Sequence, residues 1–415
     1  MKNMLVISHM ANIPGCCQAE WVDDRIYELI KREYNISVIS ATHCFKYGNQ
    51  IKHYRVPSIL PFEAKGEINE IESMNIDIES RPFTIKYLRF MRSVSKSLDK
   101  LNISLFKGEG RWFWMFSSLF IGLRIMPFQK YELIYSTGGP ASAHLAGIIL
   151  SKIFRRKLMV ELQDPLTGEG IGRNKHTIKA LGIVEKFIIK KADHIIFATK
   201  NASIAAKEKY PYASHKIDYV YPGAKKLNPA REIKRGSENN KKINFSYIGS
   251  LYQTRNLDNF ITVLYQLEIE TNYEINLYGW IADDILERIK KSNNPNIKIH
   301  GMISRDEAIE KAQNTDVLIL VQHTDMRSKK TIPFKLYDYL NTGNLIFGMT
   351  YMNNEIDDIL MKHNHLFCDA SSIGQIKEKL NYVFNNYNEL RGKIKTSHLA
   401  PNQAVNKMEK ILENV

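Results

Sequence analysis

Phe245-Ser246-Tyr247-Ile248-Gly249-Ser250-Leu251-Tyr252-Gln253-Thr254-Arg255-Asn256 reads as a short strand, a glycine turn and a cation just before a helix. Gly249 lets the backbone come close to a phosphate, and the start of the next helix adds partial positive charge there. Arg255 offers a planar fork that clamps a diphosphate through two N–H groups. An ordinary strand-to-helix turn with a surface arginine accounts for the same letters, so this stretch needs support from its surroundings.

Outward from it, short β-branched runs alternate with helix-length amphipathic segments, the pattern of a parallel sheet with crossover helices. Downstream strands are expected at Glu274–Tyr278, Ile297–His300, Val317–Val321, Leu345–Phe347 and Leu366–Cys368, with helices at Asp284–Lys291 and Arg305–Asn314. Upstream lies Ala224–Lys242, rich in Lys, Arg, Asn and Ser after Pro222-Gly223, which marks a linker. Before it the alternation occurs once already, with strands at Leu5–Ser8, Ile36–Ala41, Leu133–Ser136, Lys157–Leu162, His194–Thr199 and Ile217–Tyr221. Helices are expected at Glu20–Glu33, Ala141–Ile153 and Thr177–Lys191, while Ile51–Arg81 reads irregularly. The expectation is an α/β chain of two Rossmann-like domains facing a central cleft. The first spans 1–222, a linker 223–243 and the second 244–395, with a helix in 396–415 packing back toward the first. Ligands of such sheets sit at the carboxyl ends of the strands.

The chain has 415 residues, 44% hydrophobic and 25% charged, ordinary values for globular domains, and two domains are the default at this length. No apolar run approaches the roughly 20 residues that cross a bilayer, and no signal-peptide pattern is read at the start. Cys16, Cys17, Cys44 and Cys368 show no metal-like spacing, so a reduced, cytoplasmic compartment is expected. The net charge is +14, and between Arg81 and Lys130 ten basic residues face Asp99 and Glu109. With the aromatics of Arg111-Trp112-Phe113-Trp114-Met115-Phe116, this region suits an anionic membrane surface. A core helix beside solvated basic helices accounts for it as well. No nucleic-acid motif accompanies it.

The first strand runs into Ser8-His9-Met10-Ala11-Asn12-Ile13-Pro14-Gly15, with a single glycine, so a dinucleotide fingerprint is missing, as is any P-loop. No two aspartates stand two apart to hold a divalent cation on a diphosphate. No metal and no cofactor are therefore expected. A metal-free route must neutralise a departing diphosphate with protein cations and backbone N–H groups. A second stretch offers them: Thr331-Ile332-Pro333-Phe334-Lys335-Leu336-Tyr337-Asp338-Tyr339-Leu340-Asn341-Thr342-Gly343. Pro333 sets a helix start and Gly343 its end, and Lys335 and Asp338 share one face. Asp338 there can accept both ribose hydroxyls, or the two form an exposed ion pair.

Together the two stretches resemble the C-terminal domain of group-1 retaining glycosyltransferases of GT-B fold, of the bacterial surface-polysaccharide type. Tyr135-Ser136-Thr137-Gly138-Gly139-Pro140-Ala141-Ser142-Ala143-His144, Glu161-Leu162-Gln163-Asp164-Pro165 and Glu185 through Ala192-Asp193-His194-Ile195-Ile196 are similar to segments of the same family's N-terminal domain. Lys330 stands where many members carry an acid, and Ser250 where they carry an arginine. The resemblance implies sugar transfer, with retention, from a nucleotide-diphosphate sugar to a glycan or lipid-linked acceptor. Donor contacts are expected from Gly15, Gly249, Ser250, Arg255, Gly279, Met302, Lys335, Leu336 and Asp338. Asp164 and His144 are the candidate catalytic residues on the acceptor side, with a packing role weighed for each. An inverting transferase, a sugar-nucleotide epimerase and a non-catalytic donor-binding subunit remain open readings.

Overall fold

The computed structural model describes residues 2–14, 16–73, 82–98, 112–167, 175–224, 242–267, 273–395 and 401–413. They divide into two compact units, Met1–Tyr221 with Pro401–Val415, and Pro222–Ala400.

The first unit runs β1 (Lys2–Ile7), α1 (Cys17–Lys31), β2 (Tyr34–Ala41), β3 (Lys52–Val56), α2 (Pro61–Ser73), α3 (Pro82–Leu98) and α4 (Trp114–Ile125). It continues with β4 (Leu133–Gly138), α5 (Ala141–Phe154), β5 (Lys157–Leu162), α6 (Lys175–Lys191), β6 (His194–Phe197), α7 (Lys200–Lys209) and β7 (Ile217–Tyr219). The strands form a seven-stranded parallel sheet in the order β3-β2-β1-β4-β5-β6-β7. Along β1, Leu5 and Ile7 enter the core on one face while Met4 and Val6 enter that on the other. Side chains alternate across a strand, so a sheet covered on both faces needs an unbroken apolar run, which β1 supplies.

The second unit runs β8 (Ile243–Ile248), α8 (Asp258–Gln266), β9 (Tyr273–Tyr278), α9 (Asp283–Lys291), β10 (Ile297–Gly301) and α10 (Arg305–Gln313). Then come β11 (Val317–Val321), α11 (Lys335–Thr342), β12 (Leu345–Thr350), α12 (Asn354–Lys362), β13 (Leu366–Asp369) and α13 (Ile373–Lys393). Its six-stranded parallel sheet is ordered β10-β9-β8-β11-β12-β13. Val317, Ile319 and Val321 of β11 pack on one face, Leu318 and Leu320 on the other. Strand order reverses between β1 and β4 in one sheet and between β8 and β11 in the other, where open sheets leave room for ligands.

The last helix, α14 (Pro401–Glu413), belongs to the first unit. Its Val405, Met408 and Ile411 join Val22, Ile26 and Leu29 of α1 in one core, and Arg32 pairs with Glu409. The stretch Ile51–Arg81, irregular by sequence, holds β3 and α2. Lys52-His53-Tyr54-Arg55-Val56 is an edge strand, exposed or half-buried over its first three residues, and so lacks the apolar run that marks an inner strand. Of the expected linker, residues 225–241 lie outside the described residues, as do 99–111 of the basic region. In α4 both sequence readings find a face. Trp114 is buried and its Nε1 donates to the Val56 carbonyl at 3.1 Å, whereas Phe116 and Phe120 are exposed.

Candidate functional site

The carboxyl rim of the second sheet is built on three neighbouring glycines. Gly249 and Gly279 directly follow β8 and β9, and Gly301 ends β10, with φ of 132°, 119° and 76°, a region that L side chains avoid. Gly249 N donates to Tyr278 O at 2.8 Å and Gly279 N to Gly301 O at 2.6 Å. A Cβ on Gly279 would meet Gly249 O at 2.3 Å, and one on Gly249 would meet Lys335 Nζ at 2.5 Å. The glycine turn is therefore the space that Lys335 occupies.

Lys335 is the first residue of α11 and its Nζ lies 3.8 Å from the centre of the Tyr247 ring, a desolvated cation–π geometry. One helical turn on, the Tyr339 hydroxyl accepts from Ile248 N at 3.1 Å, tying α11 to β8. The Tyr247 hydroxyl donates to Ser250 O at 2.8 Å, which holds the turn from beneath. Burial raises the phenols of Tyr247 and Tyr339 well above their usual range, so both stay protonated donors. Tyr252 and Arg255 exchange backbone hydrogen bonds of 3.0 Å, and the Arg255 guanidinium lies 5.4 Å from the Tyr252 ring centre. The two stretches that suggested a phosphate site thus meet at one sheet edge.

Asp338 pairs with Arg305 Nη2 at 3.4 Å, and Arg305 packs 4.9 Å from the centre of the Phe334 ring. This arginine, at the start of α10, carries no signal in the sequence because it reaches α11 only through the fold. A second group that sequence reasoning missed follows β11. Asp325 accepts from Arg327 Nε at 2.9 Å and Nη2 at 2.7 Å and from Thr254 Oγ1 at 2.6 Å. These bonds, the Arg327 bonds foremost, hold the Asp325 carboxyl far below the usual carboxylate range. His323 Nδ1 lies 3.1 Å from both Arg327 Nη2 and Thr254 Oγ1. Thr254 belongs to the first-read turn, so the β8 and β11 loops are bonded to each other at the point where strand order reverses.

Of the other expected donor contacts, Met302 is 80% exposed just past β10. The Leu336 side chain is wholly buried in the core, and its N–H is taken by Pro333 O at 2.9 Å. Gly15 lies outside the described residues.

In the first unit, β4 ends at Gly138, also at positive φ. His144 is fully buried one turn into α5, with Nδ1 3.0 Å from Ser136 Oγ and Nε2 3.3 Å from Gly138 O. Burial lowers its pKa to about 4, so the ring is neutral at neutral pH. Asp164 is exposed beyond β5 and accepts from Gln18 Nε2 of α1 at 3.4 Å. Beneath it Glu161 and Arg25 form a pair only 1% exposed on each side, with Glu161 also accepting from Tyr135 and Thr137. Among the described residues no group of three or more His, Cys, Asp or Glu could hold a metal ion.

No family model and no curated protein matches the chain. Solved structures do match, over the full length of both chains. Anabaena HepE in complex with UDP is 13% identical, covers 100% of each chain and superposes with a TM-score of 0.61. Sucrose-phosphate synthase from Thermosynechococcus elongatus is 9% identical, with 100% of this chain and 99% of that one covered and a TM-score of 0.68. The lipopolysaccharide outer core galactosyltransferase WaaB is 13% identical, fully covered on both sides, with a TM-score of 0.58. These neighbours are glycosyltransferases of two parallel α/β sheets. The fold of this chain is therefore GT-B.

Proposed function

We propose that the chain is a glycosyltransferase that moves a hexose from a nucleotide-diphosphate sugar to a glycan or lipid-linked acceptor, with retention, in surface-polysaccharide synthesis. The observation that carries this reading is the seating of Lys335 over Gly249 and Tyr247, with the Arg255 charge acting on the same Tyr247 phenol. It gathers two cations and a close-approach backbone where a metal-free transferase needs them. That HepE has been solved with UDP and with UDP-glucose supports a uridine diphosphate sugar as donor. The name of WaaB supports a surface glycan as acceptor.

In this reading Arg255 and Lys335 hold the diphosphate and stabilise the charge that develops as it departs, an electrostatic task in a site of low dielectric. Asp338, oriented by Arg305, takes the ribose hydroxyls. Gly279 shapes the turn beside Gly249 and Gly15 offers a backbone N–H to the phosphates. Asp164 is the acceptor-side carboxylate. His144 is a positioning residue that fixes the Gly138 turn through both ring nitrogens. The chain acts at the cytoplasmic membrane face. Phe83, Phe90, Phe120 and Phe128 are 65–86% exposed beside Lys86, Arg89, Arg92 and Arg124. Among the described residues no helix is long and apolar enough to cross a membrane, so this contact is peripheral. No flotation with anionic vesicles at low salt would sink it.

A ligand that binds only the native state raises the melting temperature. Screening UDP-, GDP- and ADP-sugars by thermal shift is expected to single out one nucleotide. Arg255→Ala and Asp338→Ala are expected to abolish the shift and the transfer, and unchanged transfer in either would overturn the site. Lys330, at the position of an expected acid, favours a second reading, a donor-binding subunit without turnover. Nucleotide stabilisation without hydrolysis or transfer would select it.

A further inference from the structure

His323 has one ring nitrogen engaged and the other without a hydrogen-bond partner among the described residues. Arg327 Nη2 and Thr254 Oγ1 each lie 3.1 Å from His323 Nδ1; an arginine amino group can only donate, so the tautomer that accepts from Arg327 keeps its lone pair on Nδ1 and its ring proton on Nε2. His323 is 4% exposed, and its Nε2 has no hydrogen-bond partner among the described residues. A buried donor left without an acceptor is costly, and such groups in native structures point to function. The ring cannot relieve this by taking a second proton. Burial first, then the charges of Arg255 and Arg327, lower its pKa to about 3, against the opposing charge of Asp325. Tyr252 closes another side, its ring edge-on with centroids 4.9 Å apart. The surroundings thus keep His323 a neutral N–H donor beside Arg255, at the point where the sheet order reverses.

We infer that His323 is a ligand-binding residue whose Nε2–H donates to an oxygen of the nucleotide's diphosphate, and that Arg327, held by Asp325, is a positioning residue that sets its tautomer. This rests on the nucleotide-sugar reading and adds a neutral third donor to the two cations. A neutral donor distinguishes orientation of the diphosphate from attraction to it, because it adds no long-range charge.

The test measures UDP binding by calorimetry in the full chain, with His323→Leu, His323→Gln and Arg327→Met. His323→Leu is expected to weaken UDP about tenfold, the loss of one donor. His323→Gln, whose amide N–H reaches about as far as Nε2, should stay within about threefold of wild type. Nitrogen-detected NMR of labelled histidine should show His323 neutral and protonated on Nε2 down to pH 5 and without UDP. In Arg327→Met the ring should titrate above that value. If wild type binds neither UDP, GDP nor ADP, the nucleotide reading and this inference fall together. If wild type binds UDP and a folded His323→Leu binds it equally well, His323 alone is wrong. A proton on Nδ1, or titration near pH 6 in wild type, overturns the positioning role of Arg327.

Discussion

The two sheets reverse strand order in the same way, yet their carboxyl rims differ in chemistry. Around β8 and β11 the polar groups are partly buried rather than fully enclosed: Arg255, Lys335, the Arg305–Asp338 pair and the Asp325–Arg327–Thr254 bonds. Around β1, β4 and β5 the strongest polar groups are buried and engaged with each other, as in Arg25–Glu161 and His144 between Ser136 and Gly138. One rim leaves its charges partly open, and the other encloses them against its own backbone. The same scaffold therefore sets its ionic groups at two different depths, and in the proposed reading the shallower set binds the ligand.

The largest test of that contrast is Glu161→Ala. It leaves the buried Arg25 charge with only the Val220 and Tyr221 carbonyls to accept from it, and stability of the first unit should fall by about 3–5 kcal/mol. Peptide-resolved hydrogen exchange is expected to show the loss in the first unit, with UDP still protecting the second. Equal loss in both units would end the distinction.

Next come the rim glycines. Gly249→Ala forces a side chain into positive φ and into Lys335, at a cost of about 1–3 kcal/mol, and nucleotide binding should go with it. Gly139→Ala, at negative φ and meeting only the amide end of Gln18 at 3.0 Å, should cost less than about 1 kcal/mol. Denaturant melts of the two variants make the comparison direct.

Acid sharpens the contrast with a smaller effect. His323 and His365 in the second unit are held near pKa 3, chiefly by burial. Unfolded histidine takes its proton near pH 6.5, so the second unit loses stability as pH falls below that value. In the first unit His144 works in the same direction. Burial of Asp23 works in the other, raising its pKa to about 6, so the folded state gains from its proton as pH falls through 6. From pH 7 to 5 the second unit should weaken more steeply. The smallest effect is Arg305→Met, which removes a long 3.4 Å contact and should cost about 1 kcal/mol of stability. Its expected signature is a rise in nucleotide Kd matching that of a weakened Asp338.

Much of the fold was legible because inner strands of a doubly covered sheet must be continuously apolar. Lys157–Leu162 and Val317–Val321 were read with the bounds that the structure shows. The edge strand β3 was not, since its exposed positions break that run. The turn at Gly249–Arg255 and the helix at Lys335–Asp338 were legible as residue types with meaning at short spacing. Their junction through Tyr247 and Tyr339 was not, and neither was the placing of Leu336 in the core.

By itself the sequence determined the alternation of strands and helices, the break near Pro222, and the glycine and proline positions that start and stop elements. These are local matters, set by periodicity and backbone freedom. The tertiary structure alone decided that Arg305 meets Asp338, that Thr254 meets Asp325 and His323, and that α14 completes the first core from the far end of the chain. The reason is strand order. β8 and β11 lie side by side although β9 and β10 separate them in the chain, and no local pattern records which loops a crossover brings together.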